Sequence, residues 1–201
     1  TIAQALMIPC LIILIILMAG AVWQVGDIVV EYIAERRKHK CNVPQLLRDV
    51  HAAGADGLAE LIENSGLLRR QKKALLELAE SRGLPKDTLT ALAERLLATE
   101  EARNARTTSI TDMIAKLGPM FGLLGTLIPL GPGIVALGQG DTVTLSESMN
   151  VAFDTTIAGV ISAAVASVIS HIRKRWYNDD MVSLETLMEA VLEEVTADVE
   201  G

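Results

Sequence analysis

The first 26 residues, TIAQALMIPCLIILIILMAGAVWQVG (Thr1–Gly26), contain no charged side chain. A helix of about 20 apolar residues crosses the hydrocarbon core of a bilayer, where only helices or closed barrels satisfy their backbone groups. The stretch therefore predicts a transmembrane helix over residues 1–30. A cleaved signal peptide is disfavoured, because the stretch lacks a positively charged start and its apolar run is long and continuous.

Two further stretches are apolar enough to enter a membrane. Residues 117–140 carry no charge, and residues 155–170 carry none either, although Asp154 lies in the weakly polar segment that precedes them. The predicted boundaries are 112–138 for the second span, 139–147 for an outer turn and 148–172 for the third span. Half of the 201 residues are hydrophobic and no strand pattern occurs, so the sequence predicts an all-α membrane protein with three transmembrane helices. The uncharged start argues against a soluble helical protein.

Lys and Arg residues are absent from the three apolar stretches. None occurs before Arg36 or between Lys116 and Arg173. Clusters of basic residues lie at 36–40, 69–73 and 173–175, where we interpret them as membrane anchors. Positive residues stay on the cytoplasmic side of a membrane, which predicts a multi-pass protein of the cytoplasmic membrane with its N-terminus outside and its C-terminus inside. A net charge of −7 without a sustained basic face argues against nucleic acid as a partner.

The cytoplasmic region predicted over residues 31–111 has the pattern of short helices. Turn signals at 54–57, 64–66 and 82–85 divide it into helices at 44–53, 57–64 and 67–82, followed by a longer helix that begins near Pro85. Leucine and alanine residues recur at helical spacing in the last two, which predicts one buried face on each and a small helical insertion. The same spacing after the third span predicts a cytoplasmic C-terminal helix over residues 173–201.

No motif for catalysis is present. The sequence contains no phosphate-binding loop, no HExxH, no GxSxG and no paired-cysteine metal spacing, and its three histidines are scattered. We therefore expect neither an enzyme nor a bound cofactor or metal.

Small and hydroxyl-bearing residues are concentrated in the second and third spans. Gly and Pro are tolerated in a membrane helix where neighbouring helices or water satisfy the freed backbone groups, so the second span is predicted to lie among other helices. In the third span one helical stripe is formed by Ala152, Thr156, Gly159, Ala163, Ser167 and Ser170. Such a stripe allows close helix packing or lines a narrow polar pore, and the residues alone leave both interpretations open.

Two short motifs in these spans resemble a known family. The segment Gly122–Ile128 (GLLGTLI) is similar to the G-L-x-G-T-V segment of the MotA/TolQ/ExbB proton-channel family. The segment Thr155–Gly159 (TTIAG) is similar to its A-T-x-x-G segment. The order of the spans, the cytoplasmic insertion and the C-terminal helix match as well, and three spans resemble TolQ and ExbB more closely than MotA.

The resemblance implies a ring-forming subunit of an ion-driven, in this family proton-driven, membrane motor. The family's members assemble as a homopentamer around two copies of a single-span partner of the ExbD, TolR or MotB type, whose membrane aspartate carries protons. Thr126 and Thr156 would then face the lumen, where their hydroxyls exchange hydrogen bonds with water or the proton carrier. The candidate ion-path residues are Thr126, Thr156, Asp154, Thr155, Gly159 and Ser167.

Asp154 departs from the family pattern. On an ideal helix it lies about 200° from Thr156, so the two side chains cannot both face the centre of the pore. A structural role and a role on the proton path are both open for Asp154. An alternative function for the whole chain, a non-conducting helical membrane scaffold that anchors a partner, is also open.

Overall fold

The computed structural model describes residues 2–36 and 42–200, and in this part of the chain every regular element is helical. The elements are Ile2–Glu31 (α1), a π-helical turn at Tyr32–Arg36, Val43–Asn64 (α2), Arg69–Glu80 (α3), Lys86–Gly138 (α4) and Thr142–Glu200 (α5). The predicted basic anchor at 36–40 lies, from residue 37 onward, outside the described residues. Within them α1, α4 and α5 are each long and apolar enough to cross a membrane, as predicted.

The turn between α4 and α5 is shorter than the predicted 139–147, because α5 already begins at Thr142. Gly140 ends α4 with a φ of 74°, in the left-handed region that glycine adopts without strain. Asp141 then caps α5: its carboxylate accepts hydrogen bonds from the backbone N–H groups of Val143 and Thr144, each at 3.1 Å. The Thr144 hydroxyl donates to the same carboxylate at 2.6 Å. These bonds lower the pKa of Asp141 and supply the helix start that the sequence reading placed later.

The breaks predicted before α4 are present. Gly54 has a φ of 61° and kinks α2 between the predicted helices 44–53 and 57–64. The helix α3 is shorter than the predicted 67–82, because Leu68 is extended and its N–H donates to the Gln71 side chain at 3.2 Å. The helix α4 begins directly after Pro85, as predicted.

The chain forms two compact units, each with its own packing. We call Thr1–Val29 with Thr107–Arg173 the membrane unit, and Val30–Arg106 with Lys174–Gly201 the extension unit. The core of the extension unit joins α2, α3, the start of α4 and the end of α5. Its fully buried members include Leu58, Leu78, Leu89 and Leu187, which confirms the predicted apolar faces.

The histidine of α2 is paired within the extension unit. The Nδ1 atom of His51 lies 2.6 Å from a carboxylate oxygen of Glu194 on α5. This hydrogen bond, and the negative charge behind it, raise the pKa of His51.

In the membrane unit α1 packs along one side of the pair formed by α4 and α5. Leu17 and Ala21 of α1 contact Ile114 of α4 and Ala166 of α5. Further along the helices, Leu14 of α1 contacts Ile128 of α4. Many other apolar side chains of the three helices are exposed in the single chain, as expected for surfaces that meet lipid or another protein.

Candidate functional site

The helices α4 and α5 approach each other most closely at glycines. A Cβ atom added to Gly159 would lie 2.5 Å from the carbonyl oxygen of Gly118 and 2.9 Å from the Cα of Gly122. Both neighbours are backbone atoms, so no side chain can move aside. Gly159 is therefore buried in the helix contact of a single subunit, and this part of the small-residue stripe serves close packing.

The first threonine of the TTIAG segment also takes part in packing. Thr155 is buried, and its hydroxyl donates to the carbonyl oxygen of Ala152 at 2.9 Å. A Cβ atom added to Gly125 would lie 2.6 Å from the Thr155 Cβ, so the threonine fills the space that this glycine leaves. Thr155 was predicted to line an ion path, and in the single chain its side chain lies between α4 and α5.

Thr126 and Thr156 lie on the side of the α4–α5 pair opposite to α1. Relative to the contact of Gly122 with Gly159, each threonine is rotated by about 40–60° around its helix, and in this antiparallel pair both rotations turn toward the same side. Ile114 and Ile128, which contact α1, are rotated toward the other side.

Both threonines are half-buried and keep hydrogen-bonding capacity. The hydroxyl of Thr126 donates to the Leu123 carbonyl at 2.7 Å, and that of Thr156 donates to the Ala152 carbonyl at 3.1 Å. Each hydroxyl therefore retains lone pairs that can accept a hydrogen bond from water or from a protonated group. The structure thus places at one level and on one side the two hydroxyls that the sequence motifs singled out.

The remaining predicted residues separate into two groups. Ser167 is exposed and falls on the same side of α5 as Thr156, since eleven residues correspond to about three turns. Asp154 is also exposed, and its helical spacing from Thr156 assigns it to the other side of α5. The geometry therefore joins Ser167, and not Asp154, to the two threonines.

A buried guanidinium that the sequence reading missed connects α1 with α5. Arg173 is only 1% exposed, although its basic run was interpreted as an anchor at the membrane surface. Its two terminal nitrogens donate to the side-chain oxygen of Gln24 at 2.7 Å and to a carboxylate oxygen of Asp27 at 2.6 Å. A buried guanidinium requires such partners. Gln24 and Asp27 are polar residues that follow the long apolar run of α1. Their position in the sequence was the signal from which a polar partner for them could have been predicted.

A second polar contact joins α4 and α5. The Ser170 hydroxyl donates to a carboxylate oxygen of Asp112, the first residue of the predicted second span. Ser170 is buried and Asp112 is half-buried. Thr108 and Thr111, one turn or less away along α4, are buried as well, so this end of the helix pair is polar. The sequence contained a signal for this contact, because Asp112 precedes Thr126 by as many residues as Ser170 follows Thr156.

The sequence model of the MotA/TolQ/ExbB proton channel family matches residues 60–186, more than half of the chain. The chain belongs to this family. A comparison with proteins of curated function found no match. The match includes all of α4, α5 as far as residue 186 and both threonine motifs, whereas α1 lies before it.

Membership of the MotA/TolQ/ExbB proton channel family agrees with the composition of the helices. Three helices long and apolar enough to span a membrane, together with the family match, make the chain a multi-pass membrane protein. The polar contacts of the membrane unit therefore belong to a member of a proton channel family. Thr126, Thr156 and the Asp112–Ser170 contact all lie in the matched residues.

Proposed function

We propose that the chain is the ring-forming subunit of a proton-driven motor in the cytoplasmic membrane. In this proposal five copies surround two copies of a single-span partner with a membrane aspartate, and proton flow is converted into rotation or force. The observation that carries the proposal is the placement of Thr126 and Thr156 at one level, on the side of the α4–α5 pair that α1 leaves uncovered. The role is transport and force transmission, without an enzymatic step.

The exposed apolar surfaces support assembly. A single subunit leaves many large apolar side chains of α4 and α5 exposed, and it also leaves Ser167 exposed and Thr126 and Thr156 half-buried. Polar groups in a membrane are stable where they face a protein interior or water. A closed ring formed by repeated head-to-tail contacts places the threonine side toward a shared lumen and leaves α1 toward lipid.

The orientation follows from charge. Basic residues are absent between Lys116 and Arg173, which is the part of the chain that contains the turn between α4 and α5. Positive residues remain on the cytoplasmic side, so this turn and the N-terminus are outside, and the extension unit with the C-terminus is inside.

The proposal is tested by proton flux into vesicles that contain the purified complex with its partner. Thr126→Val and Thr156→Val keep nearly the same volume but remove the hydroxyl, so each should assemble while partner-dependent flux falls. Thr186→Val is the matched control, because this hydroxyl donates to the Val182 carbonyl at 2.8 Å in the extension unit, outside the predicted spans, and its loss should not affect flux. Parental flux in both lumen variants would refute the assignment. Intact rings without any flux in the parent would favour the non-conducting scaffold.

A further inference from the structure

We infer that Asp112, with Ser170 as its hydrogen-bonding partner, is the proton-accepting group at the inner end of the ion path. The inference rests on the proposed function, because it assumes that the side bearing Thr126 and Thr156 faces the lumen. It assigns a role to a polar contact that lies outside both threonine motifs.

Asp112 lies on nearly the same face of α4 as Thr126. Asp112 precedes Thr126 by 14 residues, which is nearly four turns, so the two side chains lie within about 40° of each other on α4. Ser170 follows Thr156 by 14 residues and has the same relation to it on α5. The contact between Ser170 and Asp112 shows that the antiparallel register of the two helices brings these residues together.

Asp112 and Thr126 lie at different depths along the predicted second span. At 1.5 Å per residue, Asp112 lies about 21 Å from Thr126 along α4, which is most of the thickness of a bilayer core. Ser167 adds an exposed hydroxyl on the same side of α5, one turn before Ser170. The polar residues of this side thus begin at the threonine level and end at the Asp112–Ser170 contact.

The Asp112 carboxylate differs from the hydroxyls on this side of the helix pair in its acidity. Threonine and serine hydroxyls exchange hydrogen bonds but are not ionisable at physiological pH, whereas a carboxylate can take up a proton and release it. Among the described residues, Asp112 is the carboxylate near the inner end of the α4–α5 pair on the side that bears Thr126 and Thr156. On proton uptake from water, the carboxylic acid no longer requires the Ser170 hydroxyl as a donor. That hydroxyl can then donate to the carbonyl one turn back, as the Ser162 hydroxyl does to Ala158 at 2.7 Å.

Ionisable residues flank the Asp112–Ser170 contact along both helices. Lys116 lies one turn from Asp112 on α4, and His171, Arg173 and Lys174 lie within about one turn of Ser170 on α5. The Arg173 guanidinium is held by Gln24 and Asp27, on the α1 side of the pair. Asp112 is half-buried, so water can reach it, as a group that exchanges protons requires.

The test measures partner-dependent proton flux per assembled complex in vesicles under a fixed membrane potential, with a trapped pH-sensitive dye. Asp112→Asn keeps the shape but cannot take up a proton, and should lower flux by at least about tenfold, since positioned acid–base groups accelerate proton transfer by more than that. Asp112→Glu should restore part of the flux. Ser170→Ala, which removes one hydrogen bond, should lower it by about two- to tenfold. Asp179→Asn, at an exposed carboxylate of α5, is the matched control and should conduct like the parent.

Each outcome decides the inference. If the parent conducts and assembled Asp112→Asn complexes conduct equally, Asp112 is structural and the inference fails while the proposed function stands. If Asn at this position prevents assembly, Ser170→Ala decides, and parental flux in that variant refutes the inference. If the parent complex shows no partner-dependent flux, the proposed function fails and the inference fails with it.

Discussion

Replacing Gly159 by alanine tests the helix contact on which the membrane unit depends. The added methyl group would lie 2.5 Å from the Gly118 carbonyl oxygen, 2.9 Å from the Gly122 Cα and 3.1 Å from the Gly122 nitrogen. Ordinary contacts at such a site are about 3.4 Å or longer, so α5 has to move away from α4 by several tenths of an ångström up to about 1 Å. The neighbouring contact of Gly125 with Thr155 would loosen with it.

The magnitude follows from two opposing effects. Overpacking of a tight site typically costs about 1–3 kcal/mol, and with only backbone atoms as neighbours the upper part of this range applies. Alanine is a better helix former than glycine by about 1 kcal/mol, which partly offsets the strain. Gly26→Ala in α1 is the matched control, since nothing lies within 4 Å of its added Cβ. The helix-propensity gain is common to both variants, so their difference isolates the strain.

The assay is thermal unfolding of both variants in the same detergent or lipid, followed by far-ultraviolet circular dichroism. A strain of about 1–3 kcal/mol corresponds to a Tm difference of roughly 2–12 °C for a chain of this size. Gly159→Ala should therefore unfold at a lower temperature than Gly26→Ala. Equal melting temperatures would show that α4 and α5 do not touch at these glycines, and the placement of the threonines built on that contact would be wrong.

Three further predictions concern charged groups. Arg173→Met leaves the buried Gln24 without its donor and should cost about 1–3 kcal/mol in unfolding experiments, whereas Arg175→Met should be nearly neutral, and equal effects would contradict the buried pairing. His51 should titrate above its ordinary pKa of 6.5 in NMR spectra. Its hydrogen bond to Glu194 therefore stabilises the fold below pH 6.5, and this stabilisation is lost as the pH rises through the folded pKa. An unchanged His51 titration in Glu194→Gln would refute the bond. Asp141 should titrate below 3.8, so its cap stabilises α5 above that pH and is lost as pH falls through the folded pKa, and Asp141→Ala should fray the start of the helix in hydrogen exchange.

Much of the fold follows from periodicity and breakers. The uncharged run at the start, the apolar stripes of the insertion and the breaks at Gly54 and Pro85 each correspond to an element of the structure. The length of the turn between α4 and α5 did not follow, because the prediction relied on hydropathy and did not recognise Asp141 as a helix cap. Helix ends depend on such local hydrogen bonds more than on the apolar pattern.

The candidate site was predictable in part. The family motifs singled out Thr126 and Thr156, which stay candidates, and helical geometry alone separated Asp154 from Thr156. The burial of Thr155 against Gly125 was not predicted, because one residue of rotation decides whether a side chain packs or faces outward. The Arg173 pairing depends on which helices are neighbours, and a single sequence does not contain that information.

The central claim, a ring of five subunits around two partner chains, is tested most directly by native mass spectrometry of the complex purified in mild detergent and in lipid. The account predicts a mass of five copies of this chain, with two copies of the partner when both are produced together. A monomer or dimer under both conditions would contradict the ring, and the lumen that Thr126 and Thr156 are proposed to line would not exist.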